Sequence, residues 1–111
     1  MNYEELLEKI KRLEYHQTLL AQMVSTNKFG FYQLVIEKSL HKNEVEDFYK
    51  LCEKMHIKLE EQKAEGFVYF HPLLEEFKSN LHPNLQAEEV VEVCLNQHLF
   101  VPLMLEFKKY L

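Results

Sequence analysis

Glycine is nearly missing from this chain. Two glycines and three prolines in 111 residues leave no room for the glycine-rich loops that cradle phosphates, for a dinucleotide fingerprint or for a nucleophile elbow. They also leave too few turn formers for a meander of short strands. Cysteine is equally scarce. The two present, Cys52 and Cys94, are too few for a disulfide framework and are expected to be buried reduced thiols. No apolar run approaches the ~18 residues of a membrane span. The opening Met-Asn-Tyr-Glu-Glu offers no basic region leading into an apolar core, so no secretory signal is expected and the protein is placed in the cytoplasm. Positive charge is in deficit too. With 18 acidic against 13 basic residues and a net charge of -5, a nucleic-acid role needs a local basic stripe. Lys9, Lys11 and Arg12, then Lys108 and Lys109, are short clusters interleaved with glutamate, as on solvated helix faces. Neither nucleic acid nor membrane is an expected partner.

What remains is a chain rich in Leu, Glu and Lys, 47% hydrophobic. That composition and length describe one helical domain with a single core, residues 1–111. Asn2 can cap a first helix, with Glu5 three residues on and Met1 able to staple onto Leu6. The helix is expected to run to about Ser25. Along it Tyr3, Leu6, Ile10, Leu13, Gln17, Leu20 and Val24 step by three and four without a break, the heptad signature of a seam that packs on another helix. Leu7, Leu19 and Met23 widen its apolar side. Turn formers between Thr26 and Gly30 end it.

A short second helix carries Phe31, Leu34, Val35 and Ile36. Asn43 with Glu46 is expected to open a third of about 22 residues, faced by Val45, Phe48, Cys52, Met55 and Leu59 and closed at Gly66. The β-prone Phe67-Val68-Tyr69-Phe70 lies between a helix-ending glycine and Pro72, and so is read as an apolar connector. A fourth helix follows to about Asn80 with Leu73, Leu74 and Phe77 inward, then a break at His82-Pro83-Asn84. A fifth spans about Gln86 to Asn96, and a sixth starts near Pro102 with Leu103, Met104, Phe107 and Leu111 on its packed face. The expected architecture is all-α and multihelical, five or six helices in an intertwined homo-oligomer.

The segments RLEYHQTLL at 12–20, FGFYQLVIEKSL at 29–40 and QKAEGFVYFHPLLEEF at 62–77 resemble the YhaI-type family of small uncharacterised bacterial proteins, over nearly the whole chain. The resemblance implies a multihelical, cytosolic, self-associating protein and brings no active-site residues with it.

Two constellations could carry chemistry. Cys52 with His56, and Cys94 with His98, are i, i+4 pairs that place thiol and imidazole on one helix face, and two such helices could offer four ligands to zinc. Against this, Cys52 shares its face with Phe48, Met55 and Leu59, where a small buried thiol is ordinary. Glu75-Glu76 and Glu89-Val90-Val91-Glu92 distantly resemble the paired acids with which all-α nucleotide pyrophosphohydrolases hold magnesium. Such motifs close on aspartate where this chain has Glu92, and solvated faces explain the acids as well. Ser25, Ser39 and Ser79 sit near helix ends, where hydroxyls cap. The aromatics Phe29, Phe31, Tyr32, Phe67, Tyr69 and Phe70 could line a ligand pocket or plug the ends of a helical core.

Gln17 is the polar exception on the seam. Facing its own copy, it would fix register and oligomer state; at the seam's edge, its amide would sit in water. The sequence therefore leads to a non-catalytic interaction or regulatory module, a dimer or trimer through Leu6, Ile10, Leu13, Gln17, Leu20 and Val24, with no cofactor. The alternative is a pyrophosphohydrolase-like or zinc-binding protein.

Overall fold

The first helix, α1 (Tyr3–Met23), buries none of its residues, and the rest of the architecture is organised without it. The structure, a computed structural model, describes residues 2–23 and 30–111; the expected roles of Met1, Val24, Ser25, Thr26 and Phe29 lie outside these. Six helices and no strand occur among the described residues. After α1 come α2 (Gly30–Glu37), α3 (Lys42–Ala64), α4 (His71–Asn80), α5 (Ala87–Asn96) and α6 (Val101–Lys108).

Helices α2 to α6 share one core. Phe31 and Leu34 from α2, Phe48, Cys52, Met55 and Leu59 from α3, and Leu73, Leu74 and Phe77 from α4 meet Val90, Val91 and Cys94 of α5 and Leu103, Met104 and Phe107 of α6. Each set recurs at helical spacing, so a single apolar stripe per helix suffices to close the centre. α5 packs against both α6 and α2, and α3 against α4 and α6. No polar or charged residue is buried among those described. The chain measures 62 × 27 × 18 Å with a radius of gyration of 17.4 Å, against about 13 Å for a compact domain of this length. The excess is α1, whose 21 residues make a rod of about 31 Å.

Helix ends follow rules that only in part need glycine. Asn2 caps α1 as expected, its Oδ1 accepting the Glu5 N–H at 2.8 Å. At the far end of α3, Gly66 adopts φ 94°; its N–H donates to the Lys63 carbonyl at 3.0 Å and the next N–H, of Phe67, to Gln62 at 2.9 Å. That pair of bonds is a Schellman closure. The same closure ends α2 at Ser39 (φ 55°) and α5 at His98 (φ 59°), where Leu40 N–H reaches the Val35 carbonyl at 3.1 Å and Leu99 N–H that of Cys94 at 2.8 Å. Two of the three turns thus hold a side chain in the left-handed region.

Two expectations need correction. The third helix opens at His41, not at Asn43: the Glu44 carboxylate reaches back to the His41 N–H at 2.8 Å, a closer fit to the helix start than Asn43 with Glu46. Leu111 is 43% exposed: α6 ends at Lys108, and beyond it Tyr110 rather than Leu111 packs against the core. The stretch at 67–70 is a connector as expected, with Phe70 buried, Phe67 and Tyr69 exposed and Val68 88% exposed.

Candidate functional site

The heptad residues of α1 remain open to solvent. Leu6 and Ile10 are 46% and 44% exposed, Leu13 and Leu20 57% and 58%, where packed core leucines of this chain are near zero. Tyr3, Leu7, Leu19 and Met23 are exposed beside them. α1 touches the core mainly through α2, across an open cleft of about 610 Å³ whose walls include Glu14, Gln17, Thr18 and Ala21 on one side and Gln33, Ile36 and Glu37 on the other. Gln17 therefore sits where the apolar row meets the cleft, exposed, and Val24 lies outside the described residues. A row of aliphatic side chains on a rigid rod, capped at its start and uncovered along its length, is a surface for another helix.

The cysteine and histidine residues are not assembled into a ligand set. Cys52 on α3 and Cys94 on α5 are free thiols in the core. Burial, and then the neighbouring Cys94, raise the Cys52 thiol far above its ordinary range; burial alone pushes Cys94 up to about 12. Both are thus held protonated, the reverse of what a metal ligand or nucleophile requires. His98 lies past the last residue of α5 with its backbone left-handed and its side chain exposed, so the helical i, i+4 spacing to Cys94 is broken. His56 Nδ1 is buried with no hydrogen-bond partner. No group of three or more His, Cys, Asp or Glu side chains among the described residues is placed to hold a metal.

The paired acids are likewise dispersed. Glu75 lies 3.5 Å from His71 and 3.8 Å from Lys78 on its own helix, and Glu76 accepts from Lys58 of α3 at 2.5 Å. Glu89 faces Lys38 at 3.7 Å, and Glu92 lines a separate cleft with Lys108 and Leu111. Three of the four carboxylates serve as partners of lysine, and two of these pairs, Glu76 with Lys58 and Glu89 with Lys38, tie neighbouring elements together. Magnesium chemistry would need their lone pairs converging on one point.

A constellation that sequence reasoning missed joins the start of α3 to the turn after α4. Glu44 contacts His82 Nε2 through its second carboxylate oxygen while the first accepts the His41 N–H. His82 Nδ1 accepts the Asn84 N–H at 3.0 Å, which places the imidazole proton on Nε2, donating to Glu44. The His41 N–H bond, with the His82 contact, holds the Glu44 carboxyl below its ordinary range. A carboxylate and histidine in contact suggest a catalytic dyad, but here both ring nitrogens are engaged by the fold, so the pair is a clasp. A second clasp lies at the opposite end of α4, where Tyr110 Oη accepts the Phe70 N–H at 3.0 Å and stacks edge-on with Tyr69 and His71. Sequence separations of 38 and 40 residues hide both contacts from any local pattern. Of the six aromatics considered for a pocket, Phe31 and Phe70 are core, Tyr32, Phe67 and Tyr69 lie exposed, and Phe29 is outside the described residues.

Core and surface together define a small all-helical domain bearing one unburied amphipathic helix, with no converging set of chemical groups among its described residues. The chain belongs to the DUF1878 family, whose sequence model matches residues 3–111 and is described as a protein of unknown function. The match spans α1 as well as the core, so the exposed helix is part of the domain that defines the family.

Proposed function

We propose that this protein is a YhaI-like bacterial, cytoplasmic, non-catalytic interaction or regulatory module that works as a homo-oligomer, a dimer or trimer joined through α1. The observation that carries it is the row Leu6, Ile10, Leu13 and Leu20, roughly half exposed on a helix that buries nothing. Full burial of such a side chain is worth about 1.5–3 kcal/mol, so covering the remaining half of four of them offsets a substantial part of the association entropy. Leu7, Leu19 and Met23 extend the surface that a partner would cover, and the family match through α1 supports it as a working element.

The test is the solution mass of wild type beside Leu13→Asp, by light scattering behind size exclusion. A dimeric or trimeric wild type is expected, with the variant shifted toward monomer while its helical content and core unfolding transition are retained. Wild-type protein that stays monomeric at 100 µM sinks the proposal.

A further inference from the structure

Resting on self-association through α1, we infer that the helices pair in parallel and in register with a second copy of this chain, so that the two cores emerge on the same side. Three observations on α1 carry this. The first is charge. Assigning Leu6, Leu13 and Leu20 to d positions and Tyr3, Ile10 and Gln17 to a positions puts Lys9 at g and Glu14 at the following e, both exposed. A parallel pair sets g of one helix against the next e of the other, so Lys9 meets Glu14 of the second copy twice by symmetry. Antiparallel helices set g against g and e against e, and these two residues then never meet.

The second is Gln17. In parallel register it faces its own copy across the seam, and the two amides can exchange hydrogen bonds. Turned antiparallel, an a position faces a d position, and all three d residues on the described helix are leucine. The amide would then be buried against aliphatic carbon with no partner, a desolvation cost of about 1–3 kcal/mol per copy.

The third is the shape of the molecule. α1 projects from the core, and its main contact with it is α2. On the described helix the one residue that is not exposed is Ala21, near its C-terminal end. Parallel pairing leaves both cores beyond that end. Antiparallel pairing at full overlap would bring each core against the N-terminal half of the other helix, where Glu4, Glu5 and Glu8 are exposed, while the cleft beside α2 is itself lined by Glu37.

The experiment is cross-linking of Gln17→Cys by diamide, which takes up two thiol hydrogens as the disulfide forms, alongside the wild-type mass. Cys52 and Cys94 are buried and serve as the internal background. An oligomeric wild type with Gln17→Cys linked to itself within minutes supports parallel register. An oligomeric wild type in which Gln17→Cys stays unlinked, while a mixture of Ile10→Cys and Leu20→Cys chains links to each other in preference to themselves, overturns the orientation and leaves self-association standing. A monomeric wild type overturns both. Charge exchange gives a second readout: Lys9→Glu should weaken association about fivefold and adding Glu14→Lys should restore it. Two variants that weaken association additively, with no restoration, count against the parallel arrangement.

Discussion

Replacing His98 by glycine should make this protein more stable, although it deletes a side chain and adds none. His98 occupies the left-handed position of the Schellman turn that closes α5, at φ 59°. Its side chain is exposed. A residue with a Cβ pays roughly 1–2 kcal/mol to stand in that region. Glycine removes the strain but brings extra freedom to the unfolded chain, which takes back about 0.4–1 kcal/mol. The difference leaves a net gain of about 0.5–1 kcal/mol, or roughly 2–4 °C in Tm for a domain of this size. Ser39→Gly at the end of α2, φ 55°, should gain by the same amount. Gly66→Ala is the mirror experiment: a Cβ there meets nothing within 4 Å, so any loss comes from the backbone alone, and about 1 kcal/mol is expected. Urea unfolding of the four proteins at one fixed concentration reads all of this, since self-association would otherwise shift the midpoints. A His98→Gly protein that is less stable than wild type, together with an unaffected Gly66→Ala, would refute the strain account.

Two further outcomes follow from the clasps and the thiols. Glu44 titrates below its ordinary value of 4.5 in the folded protein, so the stability it contributes is fully present above pH 4.5 and is lost as pH falls through the lowered folded value. Glu44→Gln should therefore be less stable than wild type at pH 7 and converge with it in acid unfolding once the pH falls below the lowered folded value; a gap that stays constant throughout acid unfolding contradicts the assignment. Cys52 and Cys94 are both core residues with raised thiol values, so a disulfide-exchange reagent at pH 8 should modify neither on the timescale of a free cysteine, and both once urea unfolds the chain. Prompt stoichiometric labelling of native protein would show that the core opens far more readily than its packing allows.

Much of the fold is legible because it depends on periodicity. The stripes Phe48, Cys52, Met55, Leu59 and Leu73, Leu74, Phe77 follow helical spacing, and each is buried. Pro72 and Pro102 mark first turns as their missing N–H demands. The heptad row on α1 is equally visible, but periodicity states only that one face is apolar, and here that face is the one left uncovered. Helix ends were legible where glycine marked them, at Gly66, and illegible at Ser39 and His98, where packing holds a side chain in a conformation its type disfavours. The acids show the other limit. Adjacent glutamates at 75 and 76 look like a site until Lys58, eighteen residues earlier, takes one of them; a lysine's choice of partner belongs to the tertiary fold and leaves no trace in local order. A separation of 38 residues likewise concealed Glu44 and His82.

The bond from Phe31 N–H to the Gln97 side-chain oxygen, 2.5 Å long, also sets an order of events during synthesis. It spans 66 residues, and the α5 face that covers Phe31 is made with it. At about 5–20 residues per second, α2 waits roughly 3–13 s after its own synthesis before the acceptor at its first turn exists. Through that interval Phe31 and Leu34 have no finished core to enter, so a ribosome stalled between α2 and α5 would display an apolar hook beside an already formed, equally apolar rod.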